Sequence, residues 1–362
     1  MRVVAVVGAR PNFMKVAPLA RAFADSSVDF KIVHTGQHYD QAMSQSFFDE
    51  LEIPRPDLNL EVGSASHAVQ TAEIMKRFEP ACLDLRPDWA LVVGDVNSTA
   101  ACSLVASKLG IRVCHVEAGL RSRDRAMPEE INRLVTDVIS DLLLTTCHEA
   151  DRNLLAEGIP AGKIHMVGNT MIDTLALMLP KAARRGTPAR FNLRPGAYGV
   201  VTLHRPSNVD NPEILADLLG TLEIVQRELP LIFAIHPRTR KNITAFGLED
   251  RLASMPGLQL CDPLSYLDFL DLYRQSRLVL TDSGGIQEET SWLRIPCITM
   301  RENTERGVTV DLGTNYLTGT RRDKVLEAYT AVMEGRGKPG GEIPLWDGRA
   351  AERIRTLFES LA

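Results

Sequence analysis

Short apolar runs alternate along this chain with longer stretches in which apolar residues recur at helical spacing. In the first half the runs end in polar or turn residues, and they read RVVAVVG, FKIVHT, WALVVGD, IRVCHVE, LLLTT and KIHMVG. Such alternation is typical of βαβ units, which build a mainly parallel sheet with helices on both faces. We therefore predict one doubly wound domain over residues 1–168.

The second half repeats the pattern. Its strand-like runs are YGVVTLH, LIFAIHP, LQLCD, LVLTD and PCITM, and helical stretches such as Pro212 to Glu228 separate them. These runs predict a second Rossmann-like domain over residues 187–340. Residues 169–186 enter a segment rich in Arg, Pro and Gly, which is typical of a connection. A last amphipathic helix over residues 349–361 is predicted to cross back to the first domain.

Length and charge narrow the class of protein. The chain has 362 residues, and a domain of about 150 residues makes two domains the expectation. A net charge of −5 gives no overall attraction to nucleic acid or to anionic lipid, so we expect neither as a partner. We see no signal-peptide core and no apolar stretch near the ~18 residues of a membrane span. The six scattered cysteines fit buried thiols, and we expect a cytoplasmic location.

In open α/β sheets, ligands bind beyond the carboxyl ends of the strands, so polar residues at those ends are the candidates for chemistry. The segment GARPNFMK places Arg10 and Lys15 where a strand gives way to a helix, predicted to begin near Asn12 or Phe13. A glycine turn that leads into a helix N-terminus favours an anion, and two cations strengthen that preference.

Acidic residues follow two consecutive strand-like runs. Asp95 comes after WALVVG and Glu117 ends IRVCHVE. If these strands are neighbours, ~4.8 Å apart, both carboxylates line one crevice, where mutual repulsion separates their pKa values as acid–base catalysis requires. Glu129 follows Pro128, a favoured helix start, and belongs to the same group. We expect the arginines of this stretch, residues 115–133, to compensate buried carboxylates.

The second half supplies residues suited to a phosphate. His204 stands at a strand end, and Ser283, Gly284 and Gly285 open a helix whose N–H groups can close on a phosphate. An acid one turn further along that helix could reach ribose hydroxyls, and Arg301 and Arg306 add cations near the loop.

Cofactor signatures are weak. His34 and His38 are four residues apart but have no cysteine or carboxylate beside them, so we predict no metal. The chain has no dinucleotide fingerprint, and we predict no nicotinamide cofactor.

Taken together, several segments resemble the non-hydrolysing UDP-N-acetylglucosamine 2-epimerases. These are GARPNFMKVAPL, TGQH, GDVNST, HVEAGLR, MPEEINR, LHRPSN, TDSGGIQEE and ENTER, in order from residue 8 to about 306. The resemblance implies two Rossmann-like domains facing across a cleft, the glycosyltransferase-B arrangement. It also implies UDP held chiefly by the second domain, a homodimer, and no cofactor.

The resemblance also implies site residues. The catalytic set would be Arg10, Lys15, Asp95, Glu117, Glu129 and His204. The UDP-binding set would be Arg10, His204, Phe269, Ser283, Gly284, Gly285, Glu289 and Arg306, with Phe269 beside the uracil. A second, activating UDP-sugar would contact Gln37 and His38.

The function that follows is reversible C2 epimerisation of UDP-N-acetylglucosamine, or of a related UDP-2-acetamido sugar. The C2–H bond has no adjacent carbonyl, so we expect UDP to leave first and a glycal to form. Two other enzymes stay open: a hydrolysing epimerase that releases UDP and free N-acetylmannosamine, and a glycosyltransferase of the same fold. A catalytically silent nucleotide-sugar binding protein is the remaining alternative.

Overall fold

The structure, a computed structural model, describes residues 1–36 and 50–362, apart from the side chain of Arg10. The chain forms two compact units. Unit 1 comprises Met1–Leu177 and Pro344–Ala362, and unit 2 comprises Met178–Ile343. The chain passes from unit 1 to unit 2 inside a helix, Thr170–Ala182, which spans most of the segment predicted as a connection.

Unit 1 is an α/β layer structure. Its strands are β1 (Arg2–Val7), β2 (Asp29–His34), β3 (Leu58–Asn59), β4 (Trp89–Val93), β5 (Arg112–Ala118), β6 (Leu142–Thr145) and β7 (Ile164–Met166). Its helices are α1 (Arg10–Phe23), α2 (His67–Leu85), α3 (Asn97–Lys108), α4 (Pro128–Ile139), α5 (His148–Ala156) and α6 (Thr170–Ala182), the last of which continues into unit 2. Within the described residues the sheet has the order β3-β2-β1-β4-β5-β6-β7, and its pairs are parallel.

Unit 2 repeats this plan. Its strands are β8 (Gly199–Thr202), β9 (Leu231–Ala234), β10 (Leu258–Cys261), β11 (Leu278–Thr281), β12 (Cys297–Thr299) and β13 (Asn315–Leu317). Its helices are α7 (Thr187–Arg190), α8 (Pro206–Val209), α9 (Pro212–Val225), α10 (Pro237–Ala245), α11 (Glu249–Ala253), α12 (Tyr266–Tyr273), α13 (Gly284–Leu293), α14 (Gly307–Asp311) and α15 (Arg322–Met333). The sheet order is β10-β9-β8-β11-β12-β13, again with parallel pairs.

In both sheets the strand order reverses beside the first strand of the unit, between β1 and β4 and between β8 and β11. Helices cover both faces of such a sheet, so its central strands are buried throughout, as the residues of β4 are. The core of unit 1 includes Ile74, Phe78 and Val92, while that of unit 2 includes Leu222 and Phe233. These strands are therefore apolar along their whole length because helices cover both faces of the sheet.

Two details differ from the pattern-based expectation. Helix α1 begins at Arg10 rather than near Asn12, because Pro11 suits the first turn and Oδ1 of Asn12 accepts a hydrogen bond from Ala9 N at 3.0 Å. Strands β3 and β13, which lie at sheet edges, were not predicted, since neither LN nor NYL stands in an apolar run.

Helix α16 (Ala350–Leu361) belongs to unit 1. It packs on α1 through Phe358, whose ring centroid lies 5.9 Å from that of Phe23 and 5.5 Å from that of Trp89. Asp173 caps the helix by accepting hydrogen bonds from Ala350 N and Ala351 N. None of the helices in the described ranges combines the length and the apolarity needed to cross a bilayer.

Candidate active site

The ends of β4 and β5 bring two of the predicted acids to one edge of the sheet. The strands are parallel neighbours, with Val93 paired to Val116. Glu117 directly follows Val116, and Asp95 follows Val93 after one intervening residue. Both acids therefore lie at the same edge of the sheet. Glu117 is buried and Asp95 is half-buried. The expectation that these two strands are neighbours is confirmed. Both carboxylates therefore follow adjacent strands.

Glu117 forms a buried ion pair with Lys15, which reaches it from α1. Gly94 lies directly beneath the pair: a Cβ at this position would be 2.7 Å from Lys15 Nζ and 3.3 Å from Glu117 Oε2. Gly94 also has a φ of +66°, in the left-handed region that favours glycine. The turn after β4 is therefore shaped to admit the Lys15–Glu117 pair, and the cation favours the charged form of the carboxylate.

The backbone of Glu117 is itself unusual. Its φ is +74°, a left-handed conformation that costs a residue with a Cβ about 1 kcal/mol or more. The register against β6 shifts between Val116 and Ala118. Glu117 is therefore turned out of the regular strand, and the surrounding contacts must hold this conformation.

Asp95 is paired with Arg133 from α4. Oδ2 of Asp95 lies 2.6 Å from Nη2 and 3.0 Å from Nε of Arg133. The same guanidinium bridges to Glu130 through Nη1 at 2.5 Å. Arg121 likewise lies 2.7 Å from Asp137 and 2.6 Å from Glu157. The expectation that arginines of this stretch compensate buried acids is confirmed for Arg121 and Arg133, whereas Arg123 donates to the amide oxygen of Asn153.

The two glutamates at the start of α4 differ in their surroundings. Glu130 is buried and accepts hydrogen bonds from Ser122 N at 3.0 Å and Arg123 N at 2.9 Å. Burial opposes its ionisation, but those N–H groups and Arg133 hold its pKa below the ordinary value. Glu130 thus anchors the preceding loop. Glu129 is half-buried in the first turn of α4, and among the described residues no ion pair or hydrogen bond involves its carboxylate.

Three predicted residues lie wholly or partly outside the described part of the chain. Arg10 is the first residue of α1, but its side chain lies outside the described part of the chain. Gln37 and His38 fall in residues 37–49, also outside the described residues.

His34 is buried with its ring centroid 5.2 Å from that of Phe13, and burial lowers its pKa to about 4. In the described ranges no cluster of three His, Cys, Asp or Glu residues is arranged to hold a metal.

In unit 2, His204 follows β8 and Asp282 follows the neighbouring strand β11. Nδ1 of His204 lies 2.9 Å from Oδ1 of Asp282. The buried carboxylate also accepts hydrogen bonds from the backbone N–H groups of His204 and Arg205. Burial opposes its ionisation, yet His204 and these backbone groups hold the pKa of Asp282 below the ordinary value.

Ser283 is the N-cap of α13, and Gly284 and Gly285 form its first turn. A Cβ on Gly284 would lie 2.8 Å from Nη1 of Arg306 and 3.0 Å from Oε1 of Glu305. The predicted cation, Arg306, therefore lies against the predicted glycine loop. Arg306 is nearly buried and pairs with Glu305 and, at 3.1 Å, with Glu288.

Glu289 is buried on the same helix between two phenols. Its carboxylate oxygens accept hydrogen bonds from Tyr266 at 2.8 Å and Tyr273 at 2.7 Å. Burial raises the pKa of Glu289 to about 7. The ring of Phe269 lies 5.3 Å from that of Tyr273. Phe269 and Glu289 thus share Tyr273 as a neighbour.

Several residues next to the predicted ones were missed as site residues. Arg133, Asp282, Tyr266 and Tyr273 each contact a predicted acid or histidine. Asp282 stands inside the segment TDSGGIQEE, which signals its importance but not its partner. The tyrosines occupy an apolar helix, and nothing in their spacing distinguishes them from core residues.

Comparison with known proteins gives the family. The sequence profile described as UDP-N-acetylglucosamine 2-epimerase matches residues 21–359. The chain is 43% identical over 359 residues to the UDP-N-acetylglucosamine 2-epimerase of Methanocaldococcus jannaschii, which covers 98% of both chains. It is 38% identical over 365 residues to the UDP-2,3-diacetamido-2,3-dideoxy-D-glucuronate 2-epimerase of Pseudomonas aeruginosa, which covers 100% of both.

A solved structure agrees with these relatives. The crystal structure of Methanocaldococcus jannaschii UDP-GlcNAc 2-epimerase in complex with UDP-GlcNAc and UDP matches with a TM-score of 0.91 and 42% identity, over 99% of this chain and 100% of that chain. The predicted fold class, two Rossmann-like parallel-sheet units of the glycosyltransferase-B type, is confirmed by this likeness. The chain belongs to the UDP-N-acetylglucosamine 2-epimerase family.

Proposed function

We propose that this protein epimerises C2 of UDP-N-acetylglucosamine, interconverting it with UDP-N-acetylmannosamine by elimination and re-addition of UDP. The observation that carries the proposal is the buried Lys15–Glu117 pair beside the Arg133-bound Asp95 at the ends of adjacent strands. Such a group of held carboxylates suits proton transfer at a carbon that flanks a developing positive charge.

Elimination solves the acidity problem at C2. If the C1–O bond to UDP breaks as the C2 proton leaves, the sugar becomes a neutral glycal and no free carbanion forms. Asp95 and Glu117 stabilise positive character at C1 and exchange protons with C2. Return of the proton to the opposite face requires a second acidic group, and Glu129, in the first turn of α4, is the third candidate.

Unit 2 supplies the groups that suit the departing UDP. The first-turn amides of α13 and the dipole of that helix favour a diphosphate. Nη1 of Arg306 lies beside Gly284, so this guanidinium, which pairs with Glu305 and Glu288, is close enough to donate to a phosphate at the loop. His204 is oriented by Asp282 through Nδ1, so its Nε2 is the nitrogen left to contact the leaving group. Phe269 and Glu289 would contact the uracil and the ribose.

The test is incubation of the protein with UDP-N-acetylglucosamine in deuterium oxide, followed by NMR. We expect deuterium at C2 and appearance of the manno epimer, still linked to UDP. Release of UDP with free N-acetylmannosamine would instead establish the hydrolysing alternative. A sugar consumed only in the presence of an acceptor would establish a glycosyltransferase. Lack of both exchange and turnover would overturn the assignment for this sugar.

The likeness to the Pseudomonas aeruginosa enzyme adds a second substrate to assay. UDP-2,3-diacetamido-2,3-dideoxy-D-glucuronate carries an extra acetamido group and a carboxylate. The ratio of kcat/KM for the two sugars, measured under the same conditions, decides which is preferred, because that ratio reports differential binding of the transition states.

We further propose that the enzyme acts as a cytoplasmic homodimer. All six cysteines are free thiols, as is usual in a reducing compartment. Helix α4 exposes Ile131 and Val138, seven residues apart on one face, which is a suitable surface for a second copy. Sedimentation or light scattering of the purified protein tests the oligomeric state, and a monomer at micromolar concentration would count against the homodimer.

A further inference from the structure

His115 and Asp137 form a fully buried pair beneath the carboxylates of unit 1. Nδ1 of His115 lies 2.6 Å from Oδ1 of Asp137, and Nε2 lies 2.8 Å from the carbonyl oxygen of Gly94. A backbone carbonyl and an ionised carboxylate only accept hydrogen bonds. Both ring nitrogens of His115 therefore face hydrogen-bond acceptors, and the ring is enclosed by protein.

Asp137, on α4, is the hub of this cluster. Its other oxygen, Oδ2, accepts a hydrogen bond from Gly119 N at 3.1 Å and lies 2.7 Å from Nη1 of Arg121. Burial opposes its ionisation most strongly, but the positive charges of His115 and Arg121 hold the pKa of Asp137 below the ordinary value. Arg121 is held in turn by Glu157. The buried charges are thus compensated, as their lack of solvent requires.

The pair ties together the segments that carry the proposed acids. His115 binds the carbonyl of Gly94, the residue before Asp95, and Gly94 N donates to Val116 O at 3.1 Å. Asp137 binds the N–H of Gly119, two residues after Glu117. Because Asp137 lies on the helix that begins with Pro128 and Glu129, its position also fixes that helix relative to both turns.

The strained backbone of Glu117 needs such support. A non-glycine residue with φ of +74° persists only where the surroundings over-determine it. The hydrogen bonds on either side of Glu117, at His115 and at Gly119, restrain the turn at both ends. Neither residue of the buried pair can itself reach solvent or a ligand, since both are completely buried.

We propose that the His115–Asp137 pair is a positioning device that holds Asp95, Glu117 and α4 in the geometry that proton transfer at C2 requires. This inference rests on the proposed epimerase function and assigns both residues a role through other residues, not through contact with substrate.

The test compares Asp137→Asn with Cys114→Ala, measuring kcat, KM and melting temperature. Cys114 precedes His115 on the same strand, is equally buried and points to the opposite face, so it controls for loss of packing in β5. We expect Asp137→Asn to lower kcat on the order of 10²-fold, the effect of misplacing reacting groups by about 1 Å. KM and the Kd for UDP should change little, because unit 2 supplies the nucleotide contacts. Cys114→Ala should keep its kcat even where its melting temperature falls as far.

A second measurement is made on the wild-type enzyme. In the wild-type enzyme labelled with ¹⁵N-histidine, and with the His115 signals assigned by their loss in His115→Gln, both ring nitrogens should carry protons. A ring with one unprotonated nitrogen would overturn the proposal, as would wild-type kcat in Asp137→Asn. Equal losses of kcat in Asp137→Asn and Cys114→Ala would also overturn it. A wild-type protein without C2 exchange would instead overturn the proposed function. The ¹⁵N spectrum of the His115 ring distinguishes this outcome from failure of the positioning proposal.

Discussion

Nδ1 of His204 lies 2.9 Å from the buried carboxylate of Asp282, which also accepts the backbone N–H of His204 itself. The ring and its own backbone are thus held by one group. This arrangement favours the tautomer with the Nδ1 proton and leaves Nε2 as the atom proposed to contact UDP. It resembles the way in which a carboxylate orients a catalytic histidine in other enzymes.

We predict that Asp282→Asn slows the reaction on the order of 10²-fold, because an amide no longer holds the His204 ring with Nδ1–H as the donor. The measurement is kcat for epimerisation as a function of pH. The control is Asp210→Asn, which removes an exposed acid that pairs with Arg238 on the surface of unit 2. Unchanged kcat in Asp282→Asn across the pH range would contradict an orienting role.

Glu117→Gln should stop C2 exchange while UDP still binds. General acid–base groups contribute about 10²- to 10⁴-fold, so the loss should lie in that range. The amide removes the negative charge from the buried Lys15–Glu117 pair, and breaking a buried ion pair by removing one partner should destabilise unit 1 by roughly 3–5 kcal/mol.

The double variant Lys15→Met with Glu117→Gln separates the two effects. We expect it to recover most of the lost stability in urea unfolding, since the buried charge is gone, but to recover no exchange. Exchange at the wild-type rate in Glu117→Gln would remove Glu117 from the mechanism.

Gly94→Ala should damage catalysis more than its backbone strain alone would. The new Cβ would lie 2.7 Å from Lys15 Nζ at a position where φ is +66°. Gly110 has a φ of +74° and nothing within 4 Å of its would-be Cβ, so Gly110→Ala carries the strain without the contact. Both variants should lose about 1–2 kcal/mol of stability from strain. In steady-state assays only Gly94→Ala should lose kcat, and equal rates in the two variants would show that the contact is unimportant.

Glu289 predicts a pH dependence of stability. Burial raises its pKa from an ordinary 4.5 to about 7, so between these values the folded protein keeps a proton that the unfolded chain has released. Stability should therefore fall as pH rises from about 4.5 to about 7, by at most about 3 kcal/mol, and then level off.

Urea unfolding at a series of pH values measures this slope. The matched variant Glu289→Gln has no titrating group at that position, and the component of the slope due to Glu289 should vanish in it. Identical profiles for Glu289→Gln and the wild type would show that the carboxyl titrates normally.

The sequence by itself determined the secondary structure and the edges at which chemistry is placed. Runs such as WALVVGD and LVLTD are apolar because both faces of a parallel sheet are covered, and β4 and β11 lie within them. Asp95 and Asp282 directly follow these strands or their turns. The edge strands β3 and β13 and several helices of four or five residues were not predicted, because such short segments show little periodicity.

Only the tertiary structure decided which charges meet. Lys15 and Glu117 are 102 residues apart, and His115 and Asp137 are 22 apart. Within RVCHVE, His115 looks like one more residue of a core strand, and Asp137 looks like a polar position on a helix. Pattern and propensity act over a few neighbouring residues, whereas partners of buried charges are chosen by strand order and helix packing. The strand order β1-β4-β5 brings these residues together, and no local feature of the sequence encodes it.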